Sequence, residues 1–243
     1  MDLKTAKTKQ GVPIYYLELP NVKSAAVGVL VRVGTCQEKW PEEAGLAHAL
    51  EHMLFQGTED FPESRQLSAY IEDVGGYLNA WTWKEMTFYY NVLPAGKVER
   101  GPRLLGQMLR KPLFKEENVK VEMKNVVREI KQKYDDNQNY LVTLMEKIVY
   151  GGHPLGRAGL GTEKAAKKFK PADFKRFMKK HYRPDNFIFL AAGNFKIGEI
   201  KELFEKYFPE RAAEGKTALK LPELSCPPAA KERVIYQETK LCH

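Results

Sequence analysis

Apolar and polar positions divide the chain into short strand-like runs and longer stretches with helical spacing. Residues 12–19 and 25–33 are rich in Val, Ile, Leu and Tyr, with a polar turn at Asn21 and Lys23 between them, which predicts two adjacent antiparallel strands. Residues 43–55 are mostly helix formers, preceded by Pro41 and Glu42 and followed by Gly57; a second helix is expected over 63–74, closed by Gly75 and Gly76. Residues 77–83 and 86–93 then read as the two arms of a hairpin around Lys84 and Glu85, with β-branched and aromatic residues in both. Alternation sets Trp81 and Trp83 on the face opposite Ala80 and Thr82, and at least one tryptophan is expected in the core.

The middle of the chain is helical. Leu104, Leu105, Met108 and Leu109 recur at helical spacing within 98–110, and Val119, Met123, Val126, Val127 and Ile130 line one face of a helix over 116–133. Asp135, Asp136 and Asn137 break that pattern before a further helix that runs to about Val149. A buried strand is expected over 186–192 and an amphipathic helix over 200–208. Strands and helices mix without strict βαβ alternation, so the fold class expected is α+β. Residues 210–231 shift to Pro, Glu, Ala and Lys and read as a linker, and 232–243 hold one more strand-like run. A lone strand cannot form a domain.

Composition narrows the function classes. With 43% hydrophobic and 29% charged residues over 243 positions, the chain is neither disordered nor a disulfide scaffold. No apolar run reaches the ~18–20 residues of a membrane-spanning helix; the longest, 24–33, is interrupted by Gly28 and Arg32. The first 20 residues lack the apolar core of a secretory signal, and Cys36, Cys226 and Cys242 are too scattered for a framework, so a reducing, cytoplasmic location is expected. The formal charge of +8 permits an anionic partner. The densest basic stretch, 164–180, reads as the solvated face of two helices, and with no nucleic-acid motif beside it neither nucleic acid nor membrane is expected as a partner.

Chemistry concentrates in LAHALEHMLF, residues 46–55, where only His48, Glu51 and His52 are polar. At ~100° per residue the three share one face of an otherwise apolar helix. Burying them without partners would cost about 1–3 kcal/mol each. A zinc ion would satisfy them: histidines at i and i+4 present two nitrogens to one point, and the glutamate beside the metal is placed to act as a base. The third ligand remains open among His153, His181 and the acids of helix 116–133, where Glu122 and Glu129 lie seven residues apart on one face.

These residues resemble the pitrilysin, insulysin and mitochondrial processing peptidase family of zinc peptidases with the inverted His-x-x-Glu-His motif. HALEH is followed after 76 intervening residues by Glu129, the family's spacing for its glutamate ligand. GGYLNAWTWKEMTFYY (residues 75–90), HPLGRAGLGT (153–162) and YRPDN (182–186) resemble further family landmarks.

The resemblance implies a mostly antiparallel sheet packed against several helices, forming one half of a two-half architecture. It implies Zn²⁺ held by His48, His52 and Glu129, with Glu122 supporting the site and Glu51 acting as the base that activates water. Asn79, Ala80 and Thr82 are then expected on an edge strand that binds extended or unfolded peptide. On this reading residues 1–209 are the catalytic half-domain, 210–231 the linker and 232–243 the opening strand of a second half. That second half is a missing C-terminal domain, a separate subunit or a dimer partner. The alternative is a non-catalytic chamber or binding subunit, against which stands the retention of every catalytic position.

Overall fold

Six strands hydrogen-bond into one sheet in a computed structural model that describes residues 2–210 and Glu223. They are β1 (Lys4–Lys7), β2 (Pro13–Glu18), β3 (Ser24–Val31), β4 (Tyr77–Thr82), β5 (Thr87–Pro94) and β6 (Phe187–Gly193), in the order β1-β2-β6-β3-β5-β4. Only the β2–β6 pair is parallel. The α+β class and the mostly antiparallel sheet expected from sequence are therefore observed.

The expected pairing of the first two long strands is not. β6 inserts between β2 and β3, with Ile14 opposite Phe189 on one side and Val29 opposite Phe189 on the other. A polar turn permits neighbours to pair but does not compel it. What decides is burial: Phe187 and Phe189 sink into the core, where Phe189 stacks on Phe204 with ring centroids 4.1 Å apart, and a central position buries that surface best. β1 was not anticipated; it is a short, exposed edge strand rich in lysine.

The helices are α1 (Leu46–Leu54), α2 (Ser64–Glu72), α3 (Arg100–Arg110), α4 (Glu116–Asp135), α5 (Asn137–Tyr150), α6 (Glu163–Ala166), α7 (Pro171–His181) and α8 (Ile197–Tyr207). α3 lies across β3 and β5, α8 against β2, and α1 is wedged among β4, α4 and α7. The break expected at 135–137 is the start of α5, where Asp136 accepts hydrogen bonds from the backbone N–H of Gln138 and Asn139 at 2.9 and 3.1 Å. No helix among the described residues is long and apolar enough to cross a membrane.

Neither expected tryptophan enters the core. Trp81 does oppose Ala80, but the face it occupies is the open one: Trp81 is 40% exposed and rests on Phe88 and Tyr90, with centroids 5.1 and 5.3 Å away. Trp83 lies beyond the end of β4 and is 63% exposed. Alternation alone fixes which residues share a face, not which face is covered. Cys36 is buried and unpaired among the described residues; Cys226, Cys242, nearly all of the expected linker and the 232–243 strand lie outside them.

Two glycines seat α1. Gly45 (φ 88°) and Gly161 (φ 76°) adopt left-handed backbone and touch each other's segments: a Cβ on Gly161 would meet the Ala44 carbonyl at 2.1 Å, and one on Gly45 the Leu160 carbonyl at 2.4 Å. Gly161→Ala is expected to cost about 2–3 kcal/mol, read as a lowered urea midpoint; an unchanged midpoint would show that the contact does not constrain the helix.

Candidate metal centre

The roll of α1 is set by its apolar side. Leu46, Ala47, Ala49, Leu50, Met53 and Leu54 are fully buried, which turns Glu51 toward β4 and His52 toward α4. Glu51 Oε2 accepts a hydrogen bond from Thr82 Oγ1 at 2.5 Å, and His52 Nδ1 bonds Glu122 Oε1 at 2.8 Å.

The Nε2 atoms of His48 and His52 stand 3.1 Å apart. The Glu129 carboxylate reaches across from α4 to within 3.6 Å of the first and 3.5 Å of the second. Two nitrogens held by one tetrahedral cation at ~2.0–2.1 Å lie about 3.3 Å apart, so the spacing fits a single ion with little movement. Among the described residues, His48, His52 and Glu129 are the one group of histidine, cysteine and acidic residues with ligand atoms gathered this way, all within 4.8 Å.

The surroundings set the two imidazoles apart. Burial pulls His48 down to about 3, with repulsion from His52 and Lys133 adding to it, so its imidazole is neutral. Its Nδ1 is buried without a partner among the described residues, a cost of about 1–3 kcal/mol that a metal bond at Nε2 offsets. On His52, burial pulls downward, but the Glu122 hydrogen bond and the charges of Glu129, Glu122 and Glu51 outweigh it and raise the pKa above its ordinary value. Glu122 is held below the usual carboxylate range by that same hydrogen bond, and it also accepts from Gln56 Nε2 and Asn125 Nδ2 at 3.1 and 3.2 Å. A carboxylate on Nδ1 directs the His52 lone pair to Nε2. For Glu51 burial raises the pKa, opposed by the Thr82 hydrogen bond and by His52, which readies the carboxyl for proton exchange.

Most of the residues singled out from sequence converge here. His48, Glu51, His52, Glu122, Glu129 and Thr82 form one contiguous cluster. Among the described residues β4 is one of the two edges of the sheet, opposite β1, and Ala80 is buried on its inner side. Asn79 projects from the other face: its Oδ1 accepts from the Ala80 N–H at 2.9 Å and its Nδ2 donates to Tyr77 Oη at 2.6 Å. His153 and His181 lie apart, the former accepting from the Leu155 N–H at 3.2 Å and the latter packed on Phe177, so neither joins the cluster.

The family models follow this geometry. The insulinase (peptidase family M16) model matches residues 14–163, and the model described as the peptidase M16 inactive domain matches residues 168–243. The chain belongs to the M16 peptidase family. Within this M16 chain, the second match includes β6, which sits at the centre of the same sheet. An uncharacterized zinc protease of Bacillus subtilis, YmxG, is 34% identical over 222 residues, covering 91% of this chain and 54% of the relative. A probable mitochondrial-processing peptidase subunit beta of Arabidopsis thaliana is 31% identical over 201 residues, 83% of this chain and 38% of the relative. A Helicobacter pylori protease structure superposes with a TM-score of 0.83 at 23% identity, over 93% of this chain and 54% of that one, and shares the fold. The chain thus spans about half the length, or less, of the curated relatives it matches.

One residue of the site was missed from sequence. Glu38 is 4% exposed, and its two oxygens accept from the N–H groups of Gly45 and Ala47, both at 2.9 Å, at the start of α1. The signal was an absence: α1 begins at Gly45 with no Ser, Thr, Asp or Asn to cap it, so its free N–H groups need an acceptor from elsewhere. Burial pushes the Glu38 carboxyl from 4.5 up to about 8, against the pull of the two N–H bonds. Because the folded pKa is raised, the stability that Glu38 lends is full below about 4.5 and lost as pH rises through about 8. The unfolding free energy from urea titrations should therefore fall between pH 5 and pH 8 by an amount on the order of a few kcal/mol, and Glu38→Gln should flatten that slope; equal slopes would contradict the assignment.

Proposed function

We propose that this chain is the catalytic part of a zinc metalloendopeptidase that hydrolyses extended or unfolded peptides. The observation that carries the reading is the convergence of His48 Nε2, His52 Nε2 and the Glu129 carboxylate beside a partly buried Glu51. The donor set of two imidazoles and one carboxylate suits zinc in a catalytic, incompletely filled shell, in keeping with the relatives named zinc proteases. When bound there, zinc supplies Lewis acidity that polarises a carbonyl and lowers the pKa of water toward ~7.

The chain's own groups do the rest. Glu51 takes a proton from the attacking water and delivers it to the leaving amine, and its raised pKa lets it hold that proton between the two steps. Thr82 fixes the carboxylate through Oε2, leaving Oε1 for the proton. Glu122 locks the His52 ring, with Gln56 and Asn125 locking Glu122 in turn. Peptide adds to the free edge of β4 through main-chain hydrogen bonds. Before it arrives, Asn79 occupies the outward N–H of Ala80, which shields a sheet edge that would otherwise pair with other chains; Asn79 and Ala80 thereby contribute through the backbone edge, and Thr82 through Glu51. The relatives' greater length supports a second half, as a further domain or a separate subunit, that completes the peptide channel.

Glu51→Gln should retain one zinc per chain, by mass spectrometry, and lose peptide turnover by about 10²–10⁴-fold, whereas His52→Ala should lose the metal. Wild-type turnover in Glu51→Gln would refute the role of Glu51. Glu122→Ala should weaken zinc binding by about 10–100-fold, measured by chelator competition. Turnover by the 243-residue chain alone should be weak and chelator-sensitive; robust turnover would contradict the need for a second half.

A further inference from the structure

A cavity of about 610 Å³ opens beside the metal centre, between the end of β4 and the last turns of α4. His48 and Thr82 form its inner wall, Trp83, Met86 and Leu155 its apolar sides, and Lys133 projects into it. Lys133 lies one turn beyond Glu129 on the same face of α4, and its charge is felt at His48. We propose that Lys133 is a specificity-determining residue that selects substrates with an acidic side chain next to the scissile bond. This rests on the peptidase reading above and names the substrate class it serves.

Four charged side chains line the cavity, and their pairing separates them. Lys84 is neutralised: its Nζ donates to Glu146 at 2.7 Å and to the Arg157 carbonyl at 2.5 Å. Glu85 is exposed at the hairpin turn. Lys133 is partly buried and has no carboxylate within ion-pair distance among the described residues. An ammonium on the cavity wall with no carboxylate of its own is free to pair with one that enters beside it. The apolar sides accept the methylenes of a glutamate while its carboxylate reaches Lys133, and the inner wall at His48 and Thr82 sets that side chain beside the reacting bond. A neutral side chain fills the same space but leaves the ammonium unpaired, and a basic one adds repulsion.

The test uses zinc-loaded chain carrying Glu51→Gln, so that peptide binds without turnover. Fluorescent peptides blocked at both ends, identical except for a single glutamate or glutamine walked through successive positions, are titrated by anisotropy. At one position the glutamate peptide should bind about fivefold tighter, a gain typical of a partly exposed ion pair, and the gain should shrink as salt is raised. Adding Lys133→Met should bring the ratio to one, and Lys133→Glu should invert it in favour of a lysine peptide. A glutamate preference that survives Lys133→Met, equal affinities at every position, or no binding of the glutamate peptides at ~1 mM would each overturn the proposal. Zinc content is measured on the same samples: a chain that holds no zinc sinks the peptidase reading instead.

Discussion

Everything at this site depends on holding one polar stripe of an apolar helix inside the protein. α1 cannot rotate, because Leu46, Leu50, Met53 and Leu54 are buried on its other side; it cannot slide, because Glu38 grips its first N–H groups and Gly161 blocks its entry from behind. With roll and position fixed, His48, Glu51 and His52 have a single set of neighbours available. Thr82 takes Glu51, Glu122 takes the far nitrogen of His52, and the two Nε2 atoms are left facing Glu129. The candidate metal site is what remains once those bonds have been made.

The sheet performs the second task, which is to bring a free edge to that remainder. β6 arrives from far along the chain, closes the gap between β2 and β3, and leaves β4 outermost. Because Leu78, Ala80 and Thr82 share the inner face of β4, the strand proposed to offer its backbone to a peptide also holds Glu51 through Thr82. α4 contributes from the opposite side, where a seven-residue spacing lets Glu122 meet His52 Nδ1 while Glu129 faces the Nε2 atoms of both histidines. Sheet edge and polar cluster are thereby parts of one arrangement.

How much of this could be read from sequence follows the range of the interactions. His48, Glu51 and His52 were legible because helical spacing is local, and Glu122 and Glu129 were legible as a same-face pair for the same reason. Choosing Glu129 over Glu122 from the residues alone was beyond reach: it depends on which atom of His52 each acid meets, a fact about the crossing of α1 and α4. The β2–β6 pairing spans most of the chain and is decided by the burial of Phe187 and Phe189, which no local turn reports. The exposed tryptophans failed for a related reason, since alternation assigns faces without saying which one the helices cover. Glu38 hid because a helix cap supplied from another segment leaves no spacing to recognise.

One metal ion held by the imidazoles of His48 and His52 and the carboxylate of Glu129 is what the site is proposed to contain. X-ray absorption at the zinc edge of the zinc-loaded chain tests it most directly. The expected spectrum shows a shell of two nitrogen and one or two oxygen scatterers at ~2.0–2.2 Å, with the multiple-scattering pattern of two imidazoles and no sulfur. A sulfur neighbour at ~2.3 Å, or an all-oxygen shell without imidazole scattering, would contradict it.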